Sequence, residues 1–267
     1  MGARIITISN YKGGVGKTTT AVNMAYILAA VGKKVLLIDA DPQANASYMV
    51  WKYSESAKTL RDVLCYNKNM KSVIRRSRFK NLDIIPAQAE VEVVNERIRG
   101  DKQLYEALQI LPIEGERYEY DYIIIDCQPT MQTLTKSAIY AADLLLIPFN
   151  TDGFSTAGLE LMQDFIHQIE DERGDARPLE HRCIVTRMKK GKKELERIMK
   201  VMRENDFNIS GKAIRESKAC VTSIDTRKPV LMHRKKDDVT EDYIELVSEI
   251  TNIDIKRVLI EKEIIKD

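Results

Sequence analysis

Lys12-Gly13-Gly14-Val15-Gly16-Lys17-Thr18-Thr19-Thr20 is the stretch that decides how this chain folds. It follows the apolar, β-branched residues 5–8 and opens a segment, residues 18–30, with the composition of a helix. Glycines let successive backbone N–H groups turn toward a phosphate that a side chain would keep away. The following helix N-terminus adds unpaired N–H donors and a partial positive charge. A strand, a glycine loop and a helix in this order predict a phosphate-binding loop rather than an ordinary glycine-rich turn.

The loop follows the P-loop motif with one departure. The motif G-x-x-x-x-G-K-[ST] has its first glycine where Tyr11 stands here, and an additional lysine, Lys12, occupies the loop entrance. In the motif the lysine, here Lys17, reaches the terminal phosphates, and the hydroxyl of Thr18 holds Mg²⁺. The residues predicted to contact the nucleotide are Gly13, Gly14, Val15, Gly16, Lys17, Thr18 and Thr19.

Composition sets the broad class of the protein. The 267 residues suffice for one large α/β domain or two small ones, and 44% of them are hydrophobic. The net charge of +2 neither requires nor excludes a nucleic-acid partner. Four scattered cysteines without a C-x-x-C pair argue against a zinc site or a disulfide framework and fit a reducing cytosol. We find no apolar run long enough to span a membrane and no signal-like leader, so we expect a cytoplasmic protein.

Apolar runs alternate with helical patterns along the whole chain. Runs such as 35–38 and 123–125 are continuously apolar, which is typical of strands covered on both faces of a parallel sheet. We predict a single doubly wound, mainly parallel twisted α/β sheet with helices on both faces, in a domain of residues 1–252 followed by a helical tail, 253–267. The predicted strands are 4–10, 34–41, 82–86, 120–127, 143–150 and 182–187, and the predicted helices are 18–30, about 91–111, 133–141, 157–172 and 193–205.

Carboxylates follow two of the predicted strands. Asp39 and Asp41 end the second strand, and Asp126 ends the apolar run 122–125 in the Walker B form. Ligands of such sheets bind at the carboxyl ends of the strands, where a Mg-nucleotide would lie beside the glycine loop. Asp126 can hold Mg²⁺ directly or through water. Alternatively, Asp41-Pro42 starts a turn and Asp126 caps one.

The string Lys-Gly-Gly-Val-Gly-Lys-Thr-Thr resembles the deviant Walker A motif of the ParA/MinD family of P-loop ATPases, and in particular the ParA/Soj-like partition ATPases. The resemblance implies ATP and Mg²⁺ as ligands. It also implies that Lys12 reaches the nucleotide of a second subunit, so that Lys12, Lys17 and Asp41 are catalytic, Asp41 through the attacking water. Thr18, Asp39 and Asp126 would form the Mg²⁺ site.

Further segments extend the resemblance over roughly residues 4–250. Residues 141–148 resemble a strand of the family, 185–187 match a position near the nucleotide base, and 213–231 resemble a ParA segment. Gln128 replaces a usual proline, and Glu216 replaces a usual asparagine. These departures affect the switching segment and the base contacts, while the nucleotide loop keeps the family pattern.

Basic residues cluster within 68–80, 187–203 and 227–236. Lysine and arginine side chains contacting phosphates give sequence-independent DNA affinity, although a solvated charged face is the ordinary interpretation of any single run. With a ParA-like core, we expect nonspecific binding of double-stranded DNA and association with the nucleoid. The candidate residues are Lys189, Lys190, Lys192, Lys193, Arg197, Lys200, Arg215, Arg227 and Lys228.

The resemblance implies a cycle in which ATP drives homodimerisation, the dimer binds DNA, and a ParB-like centromere-binding protein stimulates slow hydrolysis. Such a cycle would partition a plasmid, mobile element or chromosome. A MinD-like membrane-associated regulator is the alternative, but the tail mixes both charge signs and has no aromatic residue, which makes a poor membrane anchor. We expect the tail to pack on the body or on a dimer mate. A metallocluster relative and a non-hydrolysing scaffold are the remaining alternatives.

Overall fold

A seven-stranded sheet forms the centre of the molecule, with the strand order β3-β4-β2-β5-β1-β6-β7. The computed structural model describes residues 2–52, 54, 56–97, 102, 104, 106, 120–150, 156–174, 178–189 and 192–266. Neighbouring strands run parallel except for β3 and β4, which pair antiparallel. The strands are β1 (Arg4–Ile8), β2 (Val35–Ala40), β3 (Arg75–Arg76), β4 (Leu82–Ile85), β5 (Tyr122–Cys127), β6 (Leu144–Asn150) and β7 (Glu180–Thr186).

Helices connect the strands and cover both faces of the sheet. Short 3₁₀ turns occur at Met70–Ser72 and Ala89–Val91. The helices are α1 (Lys17–Ala30), α2 (Asn45–Val50), α3 (Leu60–Tyr66), α4 (Glu92–Arg97), α5 (Thr133–Ala141), α6 (Thr156–Arg173), α7 (Lys192–Glu204), α8 (Lys218–Thr226), α9 (Val230–His233), α10 (Asp238–Thr251) and α11 (Ile255–Glu261).

The apolar strands explain the layered core. Successive side chains of a strand point to opposite faces, so one strand serves two layers. In β2, Leu37 joins the core beneath α1 and α10, whereas Leu36 and Ile38 join the core beneath α3 and α5. All six residues of β2 are buried, which accounts for the uninterrupted hydrophobic run. The predicted doubly wound, mainly parallel α/β fold is confirmed.

The order of the strands determines where a ligand can bind. β5 lies between β2 and β1, so the carboxyl ends of these three strands are neighbours. After β1 the chain crosses to β2, and after β5 it crosses to β6 on the other side of β1. Such a reversal of direction opens a crevice at this edge of the sheet. In register, Asp126 at the end of β5 lies opposite both Ile8 of β1 and Asp39 of β2. The strands therefore bring the glycine loop and the predicted carboxylates together.

The predicted elements agree closely with the observed ones. Each of the six predicted strands lies within two residues of an observed strand at either end, and four of the five helices lie within one residue. The helix predicted over about 91–111 is described as helix over Glu92–Arg97, and most of its remainder lies outside the described residues. The sequence did not indicate the short edge strand β3, nor helices α2, α3, α8, α9 and α10.

The C-terminal tail packs on the body of the same chain. Its helix α11 begins at Ile255, and the carboxylate of Asp254 caps it by accepting a hydrogen bond from Arg257 N–H at 3.1 Å. Ile255 and Leu259 are fully buried in the core that contains α1 and α10. Within the described part of the chain, no helix combines the length and the apolar character that crossing a bilayer requires.

Candidate functional site: a phosphate loop beside buried carboxylates

The glycine loop leaves β1 and curls into α1. Gly14 and Gly16 have φ of 71° and 84°, a left-handed conformation that costs glycine little and other residues more. A Cβ atom at Gly13 or Gly14 would meet nothing within 4 Å, so at Gly14 backbone conformation rather than crowding requires the glycine. The side chain of Asn10 closes the loop entrance by accepting a hydrogen bond from Lys12 N–H at 2.9 Å.

Lys17 is the first residue of α1, and its side chain folds back along the loop. Its Nζ donates a hydrogen bond to the Lys12 carbonyl oxygen at 2.9 Å. Burial lowers the pKa of the Lys17 ammonium, and the nearby Asp126, Cys127 and Asp41 partly oppose this effect. An ammonium held at the loop by a backbone carbonyl is placed to exchange that partner for a phosphate oxygen.

Asp39 and Asp126 form a buried pair of carboxylates. Asp39 Oδ2 accepts hydrogen bonds from the backbone N–H and the hydroxyl of Ser47, both at 2.7 Å. Burial raises the pKa of Asp39 to about 6 despite these donors. Burial, and then the neighbouring Asp39, raise the pKa of Asp126 well above its usual range, while the Thr18 hydroxyl opposes part of the rise.

Asp126 differs from Asp39 because no donor in the described part of the chain lies at full hydrogen-bond distance from it, although Thr18 and Lys17 are close enough to affect its pKa. Both of its carboxylate oxygens are buried and lack a hydrogen-bond partner among the described residues. An unpaired buried carboxylate is costly unless a cation or donor compensates it. Carboxylate and hydroxyl oxygens are the ligands that Mg²⁺ prefers. The residues present, Asp126 and Thr18 with Asp39 behind them, therefore fit a magnesium ion that also binds a nucleotide phosphate.

Asp41 lies in the turn between β2 and α2. Its Oδ1 accepts a hydrogen bond from Gln43 N–H at 2.9 Å, and its carbonyl oxygen accepts one from Ala44 N–H at 2.8 Å. Asp41 is 8% exposed and lines the same cavity as Lys17 and Thr18. A carboxylate fixed in this turn can accept a hydrogen bond from a water molecule near the phosphates.

A cavity of about 440 Å³ lies beside the loop. Asp41, Asn45 and Pro129 belong to its lining, and so do residues 214–217 and part of α8. Phosphates held by the loop would leave the nucleoside directed toward α8. The residues around this nucleoside end are Thr186, Arg187, Ile214, Arg215, Glu216, Ser217, Cys220, Val221, Ile224 and Tyr243.

The end of β7 is attached directly to the loop. The Thr186 hydroxyl donates to the Val15 carbonyl oxygen at 2.7 Å, and the Arg187 guanidinium donates to that of Gly14 at 3.2 Å. Arg187 also pairs with Glu216 at 3.4 Å across the rim of the cavity. The resemblance pointed to residues 185–187 and 213–231, and the second stretch includes Val221 and Ile224, whereas Asn45 had no signal in the sequence.

Comparison with known proteins places the chain in a family. A family model described as an AAA domain matches residues 3–177. The sporulation initiation inhibitor protein Soj of Bacillus subtilis is 31% identical over 257 residues, which cover 92% of this chain and 98% of Soj. The chromosome partitioning protein ParA of Caulobacter vibrioides is 33% identical over 255 residues, covering 92% and 93%. The chain belongs to the ParA/Soj family of P-loop ATPases.

A solved structure agrees with this assignment. A putative plasmid partition protein of Borrelia burgdorferi, determined with bound AMPPNP, is 26% identical with a TM-score of 0.73, and the match covers 97% of this chain and 99% of that one. The predicted family is therefore confirmed for this chain, and nucleotide hydrolysis is the activity of the family at large.

The predicted DNA-contacting residues of this ParA/Soj-family chain have different surroundings in the structure. Several are ion-paired: Arg197 with Glu194 at 2.9 Å, Lys200 with Glu204 at 3.8 Å, and Arg215 with Asp242 at 2.7 Å. Lys189 and Lys193 are exposed, Lys192 begins α7, and Lys190 lies outside the described residues. Arg227 and Lys228 follow α8, where the Arg227 guanidinium lies 3.3 Å from the ring centre of Tyr48. The contacts of these residues with DNA remain predictions.

Proposed function

We propose that this chain is a ParA-like ATPase that dimerises with ATP, binds DNA nonspecifically and drives partition of a plasmid, mobile element or chromosome with a ParB-like partner. The observation that carries the proposal is the convergence of three groups at one edge of the sheet. The glycine loop and the carboxylate of Asp41 line one cavity. The buried pair Asp39 and Asp126 lies behind this lining, where the charges of Lys17 and Asp41 act on Asp126. Each corresponds to a requirement of phosphoryl transfer: a phosphate cradle, a metal site and a group that positions water.

ATP with Mg²⁺ is the ligand that best fits the cavity. The loop N–H groups and Lys17 would hold the phosphates, with Thr18 and Asp126 facing the metal. A bound Mg²⁺ would neutralise negative charge that develops on the phosphates during transfer. The Borrelia relative with bound AMPPNP supports an adenine nucleotide here.

Hydrolysis would depend on Asp41 and Lys12. Asp41 would orient the attacking water, because its carboxylate is fixed at the cavity wall beside the loop. The Lys12 backbone stabilises the loop through its N–H and its carbonyl oxygen. By resemblance, the Lys12 side chain would reach the nucleotide of a second subunit and offset charge there, so turnover would require the dimer.

A partition role is favoured over a MinD-like membrane role by the tail. Ile255 and Leu259, two of the apolar residues that an anchor would present to lipid, are fully buried against the body of the chain. Membrane binding through α11 would expose this core surface at a cost of about 1.5–3 kcal/mol per side chain. Soj and ParA, the relatives compared above, are named for sporulation and chromosome partitioning, which supports DNA as the surface that this chain uses.

The proposal is tested by measuring molar mass by light scattering with ATP, ADP or no nucleotide, together with phosphate release. We expect Asp41→Ala to accumulate a dimer with ATP and wild type to populate it transiently. Lys12→Ala should bind ATP and remain monomeric. Lys34→Ala, which removes a lysine at the opposite end of β2, is the matched control and should behave as wild type. A monomeric Asp41→Ala in the presence of ATP would contradict the proposal.

A further inference from the structure

Two arginines that are far apart in the sequence meet beside one exposed tyrosine. Arg78 lies between β3 and β4, Arg227 follows α8, and Tyr48 lies on α2. The Arg227 guanidinium stacks 3.3 Å from the Tyr48 ring centre, and the Arg78 guanidinium donates hydrogen bonds to the carbonyl oxygens of Met49 and Arg227. Tyr48 remains 45% exposed. We call these three residues, Tyr48, Arg78 and Arg227, the arginine–tyrosine cluster.

The cluster carries positive charge that the protein itself does not neutralise. In the described residues, neither Arg78 nor Arg227 has a carboxylate within ion-pair distance, and the proximity of Arg227 adds to burial in lowering the pKa of the Arg78 guanidinium. The candidates on α7 differ, because Arg197 and Lys200 have glutamate partners on their own helix. Two adjacent guanidinium groups without a counter-ion favour a ligand with closely spaced negative charges.

The backbone around the cluster is held in place before any ligand binds. Arg78 N–H donates to the Val50 carbonyl oxygen at 3.2 Å, which ties the β3–β4 turn to the end of α2. After α8, the Ser223 hydroxyl donates to the Lys228 carbonyl oxygen at 2.6 Å, and Val230 N–H donates to Asn23 Oδ1 of α1 at 2.8 Å. A pre-organised arginine pair loses little conformational entropy on binding phosphate.

The two helices that meet at the cluster also form walls of the nucleotide cavity. α2 contributes Asn45 at the end near Asp41, and α8 contributes Val221 and Ile224 at the nucleoside end. Tyr48 lies one turn after Asn45, and Arg227 immediately follows α8. A nucleotide that changes the spacing of α2 and α8 also changes the Tyr48–Arg227 stack.

We propose that the arginine–tyrosine cluster is the principal phosphate-contacting surface for double-stranded DNA, and that it couples DNA binding to the nucleotide. The inference rests on the proposed function, which it deepens by assigning the DNA surface. Arg78 and Arg227 would each contact a backbone phosphate, with the exposed Lys228 beside them, and the ion-paired α7 candidates Arg197 and Lys200 would contribute little.

The test compares DNA affinity of wild type and Arg78→Ala/Arg227→Ala across a salt series with ATP, using a random-sequence duplex in fluorescence anisotropy. Each phosphate contact contributes about −0.9 to the slope of log K against log salt. Because each subunit of the proposed ATP-bound dimer carries the pair, the variant loses four contacts. The slope should fall by about 3.6, so that the loss of affinity between 50 and 200 mM salt is about 150-fold smaller than in wild type. Arg78→Lys/Arg227→Lys, which keeps the charges, should retain most of the wild-type slope.

Controls separate this inference from the proposed function. Lys256→Ala/Arg257→Ala removes two positive charges from α11 and should leave DNA affinity within about twofold of wild type. ATP affinity and melting temperature of the cluster variants should match wild type, which shows that they fold. If Arg78→Ala/Arg227→Ala keeps the wild-type salt slope, or if Arg197→Ala/Lys200→Ala loses it instead, the inference about the cluster is wrong. The proposed function is then unaffected. No DNA binding by wild type, or binding to anionic vesicles in its place, overturns both.

Discussion

Replacing Asp126 by asparagine should stabilise the nucleotide-free protein and remove its response to Mg²⁺ and ATP. The Asp126 carboxylate is fully buried, has no hydrogen-bond partner among the described residues and lies opposite Asp39 on the neighbouring strand. A buried polar group without a partner costs about 1–3 kcal/mol, and more when it is charged. Asparagine keeps the shape and removes the charge. The free energy of unfolding should therefore rise by about 1–3 kcal/mol, which corresponds to about 3–10 °C in melting temperature.

The pH dependence of stability provides a second measure of the same pair. A carboxyl group whose pKa is raised by folding holds its proton more tightly in the folded state, so stability is highest at low pH and falls as the pH rises. For Asp39, whose pKa is raised to about 6, the fall occurs between about pH 4 and pH 6 and amounts to about 3 kcal/mol. Asp126→Asn removes the contribution of Asp126, whose pKa is also raised, so the pH dependence of the whole protein should flatten while the part due to burial of Asp39 persists.

Thermal unfolding of wild type and Asp126→Asn between about pH 4 and pH 8, with and without Mg²⁺ and ATP, tests both expectations. Wild type should gain melting temperature on addition of Mg²⁺ and ATP, and the variant should gain little. Asp126→Glu keeps the charge and is the matched control, which should not gain stability in the absence of nucleotide. A variant Asp126→Asn that melts below wild type without nucleotide would refute the argument that the carboxylate is held there at a cost.

Three further predictions concern single residues. Lys17→Ala should weaken ATP binding at least about a hundredfold in titration calorimetry, because the ammonium at the loop is lost; ATP affinity equal to wild type would exclude the loop as the phosphate site. Asp41→Ala should lower the rate of phosphate release by about 10²–10⁴, the usual contribution of a group that handles the proton of attacking water. Its ATP affinity should change less than about threefold, and unchanged turnover would remove Asp41 from catalysis. Leu259→Ala should lower the free energy of unfolding in urea by about 2–5 kcal/mol, since Leu259 is fully buried. Substitution of the exposed Lys256 by alanine should change it by less than about 0.5 kcal/mol. Equal stability of the two variants would mean that α11 does not pack as described.

The fold was largely predictable because its strands are buried on both faces. Runs such as 35–38 and 123–125 have no polar interruption, and hydrophobic pattern alone identifies such strands. The edge strand β3 is two residues, Arg75–Arg76, and has no apolar pattern to detect. α8 and α9 are short and adjoin Pro229, so their local sequence is typical of a loop, and tertiary packing determines their structure.

The nucleotide site was predictable in part because its motifs are local. The loop and the strand-end aspartates are each a continuous string, and a parallel sheet necessarily brings such strand ends together. The partners of the basic surface residues were not predictable in this way. Arg215 is basic in the sequence but pairs with Asp242, 27 residues later, and Arg78 and Arg227 are 149 residues apart. Pairs within a helix, such as Arg197 with Glu194, follow from local spacing, whereas the pairing of Arg215 and the meeting of Arg78 with Arg227 depend on tertiary contacts.

Retention of DNA by wild type and Asp41→Ala, with ATP, ADP or no nucleotide, tests the central claim most directly, because that claim joins the nucleotide site to DNA binding. The account predicts salt-sensitive retention of a random-sequence duplex with ATP, strengthened in Asp41→Ala and weak with ADP or without nucleotide. Equal retention in all three nucleotide states, or none in any of them, would contradict it.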